Sequence, residues 1–400
     1  MDGGLNVKFN FNEEICRLKT NSTKWDSIDK EFGCTEVLPL WIADMDLACA
    51  PAIVDALTKR AQHPIYGYGH IPEEFFESAI NWADKRFNTT IERDWLTTVP
   101  GVVPALNLAI ESFSKVGDEV IIQPPVYYPF FSTIKNNGRN LVENPLVEQD
   151  GYYYMDLDDL EKKITSKTKM LILCSPANPV GRVWTKEELL ALTAICKKHN
   201  IIIIADEIHA DLVYEKGTHT PFYSLSEDAA NMSITFMSPS KTFNIAGLFS
   251  SLAVIPNKNL MTEFTHAILR ASLENLNIFG IEAVIAAYNE GDEWLDELLI
   301  HLKGNAEYIN DYLSKHIPEV KMKLTEATYL GWLDFRELGL IGDELNNFLI
   351  KDAKLGLNDG RVFGSDGEGF MRLNYACTRK TLEEAMSRLD KAVRNLKVNA

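Results

Sequence analysis

No uninterrupted apolar run in this chain approaches the roughly 20 residues a membrane-spanning helix needs. A representative run, Ile201 to Ala205, has five. The six cysteines (Cys16, Cys34, Cys49, Cys174, Cys196 and Cys377) include no C-x-x-C pair and no ligand-like spacing with histidine. A disulfide framework and a structural zinc are therefore not expected, and the usage suits a reducing cytoplasm. Positive charge is also short. Forty basic residues face 57 acidic ones, a net charge of −17, and such a surface repels phosphate backbones and anionic lipid. Neither nucleic acid nor membrane is an expected partner. No basic start followed by an apolar core opens the sequence, so no signal peptide is expected. Internal repeats, low-complexity tracts and flexible linkers are absent as well.

What is present is an ordinary globular composition, 46% hydrophobic and 24% charged over 400 residues, enough for two packed lobes. Short β-branched runs alternate with longer amphipathic ones. Candidate strands are Glu119–Ile122, Met170–Cys174, Ile201–Ala205, Ser233–Met237 and Leu252–Ile255. Between two of them, Thr185 and Glu188 form a capping box that opens a helix running to Lys198. Unbroken apolar strands separated by helices predict a mostly parallel sheet covered on both faces, an α/β fold. Beyond about residue 290 the texture becomes α+β, with a long helix from Glu293 and strands at Tyr329–Phe335 and Phe370–Tyr375. The first fifty residues lack the βα alternation. The expected division is a segment 1–50 joining a small C-terminal domain 291–400, around a large domain 51–290.

Ligands collect at the carboxyl ends of strands in such sheets, and three chemical signals lie there. Ser238-Pro-Ser-Lys241 follows an apolar strand. A solvated loop lysine is the ordinary reading, but a buried one loses its proton readily and becomes a nucleophilic amine able to form a Schiff base. Asp206 ends the run Ile201–Ala205, where a carboxylate needs either a helix to cap or a cationic partner such as a protonated pyridine nitrogen. Asn178, between Pro176 and Pro179, is either a turn residue or an amide donor to a cofactor's phenolic oxygen or a substrate carboxylate. Amine, acid and amide in this combination are the parts that hold pyridoxal phosphate. Gly101-Val102 opens a helical pattern whose N–H groups suit a phosphate, and Ser238 can add a hydroxyl. Tyr127 is a candidate for stacking on a flat ring, with Tyr128 beside it. Arg372 is a candidate clamp for a substrate carboxylate.

These motifs in this order resemble the fold-type I pyridoxal-phosphate enzymes, the superfamily of aspartate aminotransferase. Lys24-Trp-Asp26, Trp41-Ile-Ala43-Asp44-Met-Asp46, Ile65-Tyr-Gly-Tyr68-Gly, Asp206-Glu-Ile-His209, Ser240-Lys241-Thr-Phe-Asn, Leu357-Asn-Asp-Gly360-Arg-Val-Phe-Gly364 and Gly369-Phe-Met-Arg372-Leu-Asn are similar to the MalY/PatB-type cystathionine β-lyases, or C–S lyases. The resemblance runs from about residue 20 to the end. It implies that Lys241 carries the cofactor, Asp206 partners its ring nitrogen, and Asn178 contacts its ring oxygen. It further implies that Tyr127 stacks on the ring, that Gly101, Val102 and Ser238 line the phosphate cup, and that Arg372 takes the substrate carboxylate. Ala43 would lie beside the substrate, and Tyr68 would reach the phosphate from the other subunit of a homodimer.

The chain departs from many aminotransferases at two places. Phe249 stands where they carry a phosphate-gripping arginine, and His209 stands where they carry tyrosine. Ala177 replaces a histidine common in the family. The implied activity is elimination from cystathionine or another sulfur amino acid. An aminotransferase is the rival enzyme, and a cofactor-bearing regulatory binder is the non-enzymatic rival.

Overall fold

The computed structural model describes residues 8–399; the first seven residues of the expected N-terminal segment lie outside it. The central sheet has seven strands: β1 (Leu96–Val99), β2 (Glu119–Ile122), β3 (Asn140–Glu143), β4 (Thr168–Cys174), β5 (Ile202–Asp206), β6 (Ser233–Met237) and β7 (Ser251–Val254), in the order β1-β7-β6-β5-β4-β2-β3. β6, β5, β4, β2 and β3 run parallel. Ile203, Ile204, Ala205 and Asp206 are all buried. A strand covered by helices on both faces has no polar side to alternate with, which is why the run reads as continuous isoleucine.

The sequence leads one to expect that Leu252–Ile255 is another parallel strand. It is not: β7 runs antiparallel to both β6 and β1. β1 itself carries only four residues before Pro100 and was not anticipated. Ser251 pairs with Val99 and Leu252 with Met237. The start of β7 therefore lies at the edge where β1, β4, β5 and β6 end.

The helix Lys186–Lys198 starts as expected, with Glu188 N donating to Thr185 Oγ1 (3.2 Å) and Thr185 N to Glu188 Oε2 (2.8 Å). A 25-residue helix, Asp292–His316, introduces the α+β part. There β8 (Lys321–Met322), β9 (Leu330–Asp334), β10 (Asn358–Asp359) and β11 (Phe370–Asn374) form an antiparallel sheet in the order β8-β9-β11-β10. The N-terminal segment packs against this part: Leu38–Pro39 pairs with Leu355–Gly356, and the Phe11 ring lies 5.6 Å from Trp294. No helix among the described residues is long and apolar enough to cross a membrane.

Candidate active site

At the shared carboxyl edge of β1, β4, β5 and β6 lies a cavity of about 250 Å³. Each wall comes from a chain turn that leaves the sheet. Asp206 is the last residue of β5 and is 3% exposed, with His209 one turn on. Asn178 follows β4. Lys241 sits in a short helix, Pro239–Thr242, rather than the expected loop, because Ser238 Oγ caps it by accepting from Ser240 N (3.2 Å). Gly101 precedes the helix Val102–Phe113 with φ of +154°, a conformation that side chains rarely adopt. Tyr127 closes one side, and Ala43 arrives from the N-terminal segment.

The structure thus gathers Lys241, Asp206, Asn178, His209, Tyr127, Gly101, Val102 and Ala43 around one cavity. Arg372, in β11, reaches it through Asn178, donating from Nη1 to Asn178 Oδ1 (3.2 Å). Three expected residues stand apart. Ser238 is 4% exposed and lies behind the lining, where its hydroxyl accepts from Ser251 Oγ (2.9 Å). The Tyr128 ring lies 5.3 Å from that of Tyr127 and is 42% exposed. Tyr68 extends fully into solvent, beside the exposed Ile65 and Tyr66. Ser240, Ser250 and Ser251 line the cavity unforeseen. The last two are at the start of antiparallel β7, where a parallel reading looks for no ligand.

Burial dominates the electrostatics of the site. Burial lifts the Asp206 carboxyl to about 7 against one backbone donor, Ile208 N (3.2 Å). Burial, then the charge of Arg372, brings the Lys241 amine down to about 8, opposed by Asp44 and Asp206. Burial followed by the Lys241 and Arg372 charges takes His209 to about 3, so its imidazole is neutral at physiological pH. Arg372 is 2% exposed and falls to about 10 through burial. Its partners are neutral: Asn178 Oδ1, Trp41 O (2.8 Å) and Asn358 Oδ1 (2.5 Å). Seven buried side-chain polar atoms have no partner among the described residues, and two of them belong to this site: Arg372 Nε and His209 Nδ1. An unpaired buried guanidinium and an unpaired buried carboxylate are costly, and both costs vanish if the occupant brings a carboxylate to one and a ring cation to the other. This donor set fits pyridoxal phosphate with an amino-acid substrate.

Asp206 also yields a stability prediction. Its folded pKa lies above the ordinary carboxyl value, so the folded apoprotein binds the extra proton between about pH 4 and pH 7. Stability from this group is therefore present below pH 4 and is lost as pH rises through 7. Asp206→Asn removes that loss. Thermal unfolding of cofactor-free protein is expected to show the variant more stable than the parent at pH 8, by about 2–4 kcal/mol, with little difference at pH 4. An equal effect at both pH values would contradict the assigned cause.

Comparison with known proteins agrees with the fold. A parallel-cored sheet with an amine, an acid and an amide at its carboxyl edge defines a pyridoxal-phosphate enzyme of fold type I. The chain belongs to the aminotransferase class I and II family, whose description matches residues 35–389. It is 42% identical over 385 residues to cystathionine beta-lyase PatB of Bacillus subtilis, with 96% of this chain and all of PatB covered. Protein MalY of Escherichia coli is 34% identical, covering 96% of this chain and 99% of MalY. The solved structure of the PLP-bound C–S lyase from Staphylococcus hominis superposes with a TM-score of 0.91 at 32% identity, over 98% of this chain and all of that one. The resemblance to MalY/PatB-type C–S lyases is therefore met.

Proposed function

We propose that this protein eliminates the β-thiolate from cystathionine and related cysteine S-conjugates, releasing a thiol, pyruvate and ammonia. The observation that carries the reading is a half-buried, deprotonatable Lys241 lining the same cavity as Asn178, whose amide is held by a fully buried arginine without a carboxylate partner. Pyridoxal phosphate, the cofactor, supplies when bound an aldehyde for amines and an electron sink for charge arising at the α-carbon.

The chain's residues divide the remaining work. Lys241 holds the cofactor and, once free, takes the α-proton at Nζ; an amine of pKa about 8 is neutral often enough near pH 7 to act as that base. Asp206 keeps a proton on the ring nitrogen. Asn178 Oδ1 is engaged by Arg372, and because a guanidinium only donates, the amide nitrogen of Asn178 is left to donate to the ring oxygen. Arg372 fixes the substrate carboxylate, with Ala43 and Tyr128 flanking the substrate. Tyr127 packs on the ring and excludes water. The neutral His209 lines the cavity with Nδ1 unpartnered among the described residues and would be available to a bound ring. The Gly101 and Val102 backbone and the hydroxyls of Ser250 and Ser251 would hold the phosphate, with Ser238 bracing Ser251.

Phe249, 63% exposed at the cavity mouth, supplies no positive charge to that cradle. We assign part of the missing grip to Tyr68 of a second copy, since it projects fully into solvent within an exposed apolar cluster with Ile65 and Tyr66. A fully active monomer in sedimentation would overturn the homodimer. The division into 1–50, 51–290 and 291–400 is supported by the packing of the N-terminal segment on Leu355–Gly356 and Trp294. Cytoplasmic location is supported by six cysteines that are all unpaired.

The reaction type is tested with two substrates. A thiolate leaves readily because its conjugate acid has a pKa of about 8.5. Cystathionine alone is expected to give pyruvate, ammonia and thiol in equal amounts without any 2-oxo acid. Aspartate with 2-oxoglutarate is expected to react roughly a hundredfold more slowly, a difference of only about 3 kcal/mol between transition states. Glutamate forming as fast as pyruvate would make the protein an aminotransferase.

A further inference from the structure

The segment Trp41–Leu47 reaches the cavity through Ala43 and is held at almost every backbone position. Asn374 Nδ2 donates to both Ile42 O and Asp44 O at 2.6 Å. Asn244 Oδ1 accepts from Met45 N (2.9 Å), and its Nδ2 donates to Met45 O and Leu47 O. Lys24, completely buried, donates from Nζ to Asp46 Oδ2 (2.7 Å) and Asp44 O (3.3 Å), while Arg17 bridges Asp44 and Asp46. In the middle of this clamped strap, Ala43 O accepts two hydrogen bonds. One comes from Lys241 Nζ at 2.7 Å and the other from the Tyr329 hydroxyl at 2.9 Å. Tyr329 is wholly buried, and this is the one bond its hydroxyl makes among the described residues.

A lysine that alternates between a bound and a free amine leaves its other partner alternately satisfied and bare. A bare buried carbonyl is unfavourable. A second, permanent donor removes that cost, and it also makes the carbonyl a weaker acceptor for an ammonium group. We propose that the Ala43 carbonyl is the docking point of the Lys241 amine whenever the amine is not joined to the cofactor, and that Tyr329 is the positioning residue that keeps this carbonyl satisfied and its hold on the amine weak. The inference rests on Lys241 being the cofactor-bearing lysine, which peptide labelling tests separately.

The groups facing the amine are Asp206 at the end of β5, His209 beyond it, Arg372 on β11, Asp44 on the strap, and Tyr329 just before β9. Tyr329→Phe alters none of their charges. It gives Ala43 O to the amine alone, which favours the ammonium form. Cofactor-free protein mixed with pyridoxal phosphate at a series of pH values reports the amine through the rate at which the yellow adduct forms. The half-maximal rate of the parent is expected near pH 8, and in Tyr329→Phe it should move up by about half to one unit. In the loaded enzyme kcat below pH 8 should fall about three- to tenfold with KM unchanged, because the base keeps its proton more often. An unmoved half-point in a variant of parental thermal stability overturns the proposal.

A second measurement needs no variant. Crystal structures of the parent without and with cofactor should show Nζ on Ala43 O in the first and withdrawn from it in the second, with the Tyr329 bond present in both. A free amine pointing elsewhere, or a Tyr329 hydroxyl that leaves Ala43 when the cofactor binds, overturns it equally.

Discussion

Lys241→Ala is expected to lower kcat/KM for cystathionine by about 10⁴-fold or more. Base catalysis alone contributes roughly 10²–10⁴, and the same side chain provides the covalent attachment that divides one difficult step into easier ones. Lys241→Arg should not rescue it, since a guanidinium stays protonated. Folding should be spared. The lysine's one hydrogen bond goes to Ala43 O, which Tyr329 still satisfies, and a desolvated amine is removed. Activity within tenfold of the parent, in either variant, would contradict the assignment of Lys241 as attachment point and base.

Arg372→Ala is expected to cost about 10²–10³ in kcat/KM, or about 3–4 kcal/mol, the worth of one or two charge-assisted bonds to a carboxylate. Part of any loss could come from structure instead, because the guanidinium also holds Trp41 O and Asn358. A thioether amine without the α-carboxylate separates the two. Parent and variant should process it at similar, low rates. If the variant loses as much on this substrate as on cystathionine, Arg372 supports the strap and does not bind the carboxylate.

Much of the site was legible because burial leaves a strong mark on short strands. Asp206 stands out after Ile201–Ala205, as does Lys241 after Ser233–Met237, since an ionisable group at the end of an all-apolar strand needs a reason. The strand direction of Leu252–Val254 left no such mark. Four buried residues read alike whether parallel or antiparallel, so the reading missed that β7 begins at the ligand edge and delivers Ser250 and Ser251. Ser238 caps the short helix Pro239–Thr242 from behind the cavity lining, a role that a serine in this sequence position serves as readily as phosphate contact. Tyr329 and Ala43 lie 286 positions apart, and the partner is a backbone carbonyl, which no side-chain pattern announces. Likewise the spacing of Lys24, Arg17, Asp44 and Asp46 gives no sign of the ion pairs that folding forms among them.

The central claim is that Lys241 is the amine on which the chemistry turns. Borohydride reduction of the yellow holoprotein, followed by proteolysis and mapping of the cofactor-labelled peptide, tests it most directly. One peptide, containing Lys241 and carrying one equivalent of reduced cofactor per chain, is the result this account predicts. Label on any other lysine, or a protein that takes up no carbonyl-reactive cofactor, would contradict it.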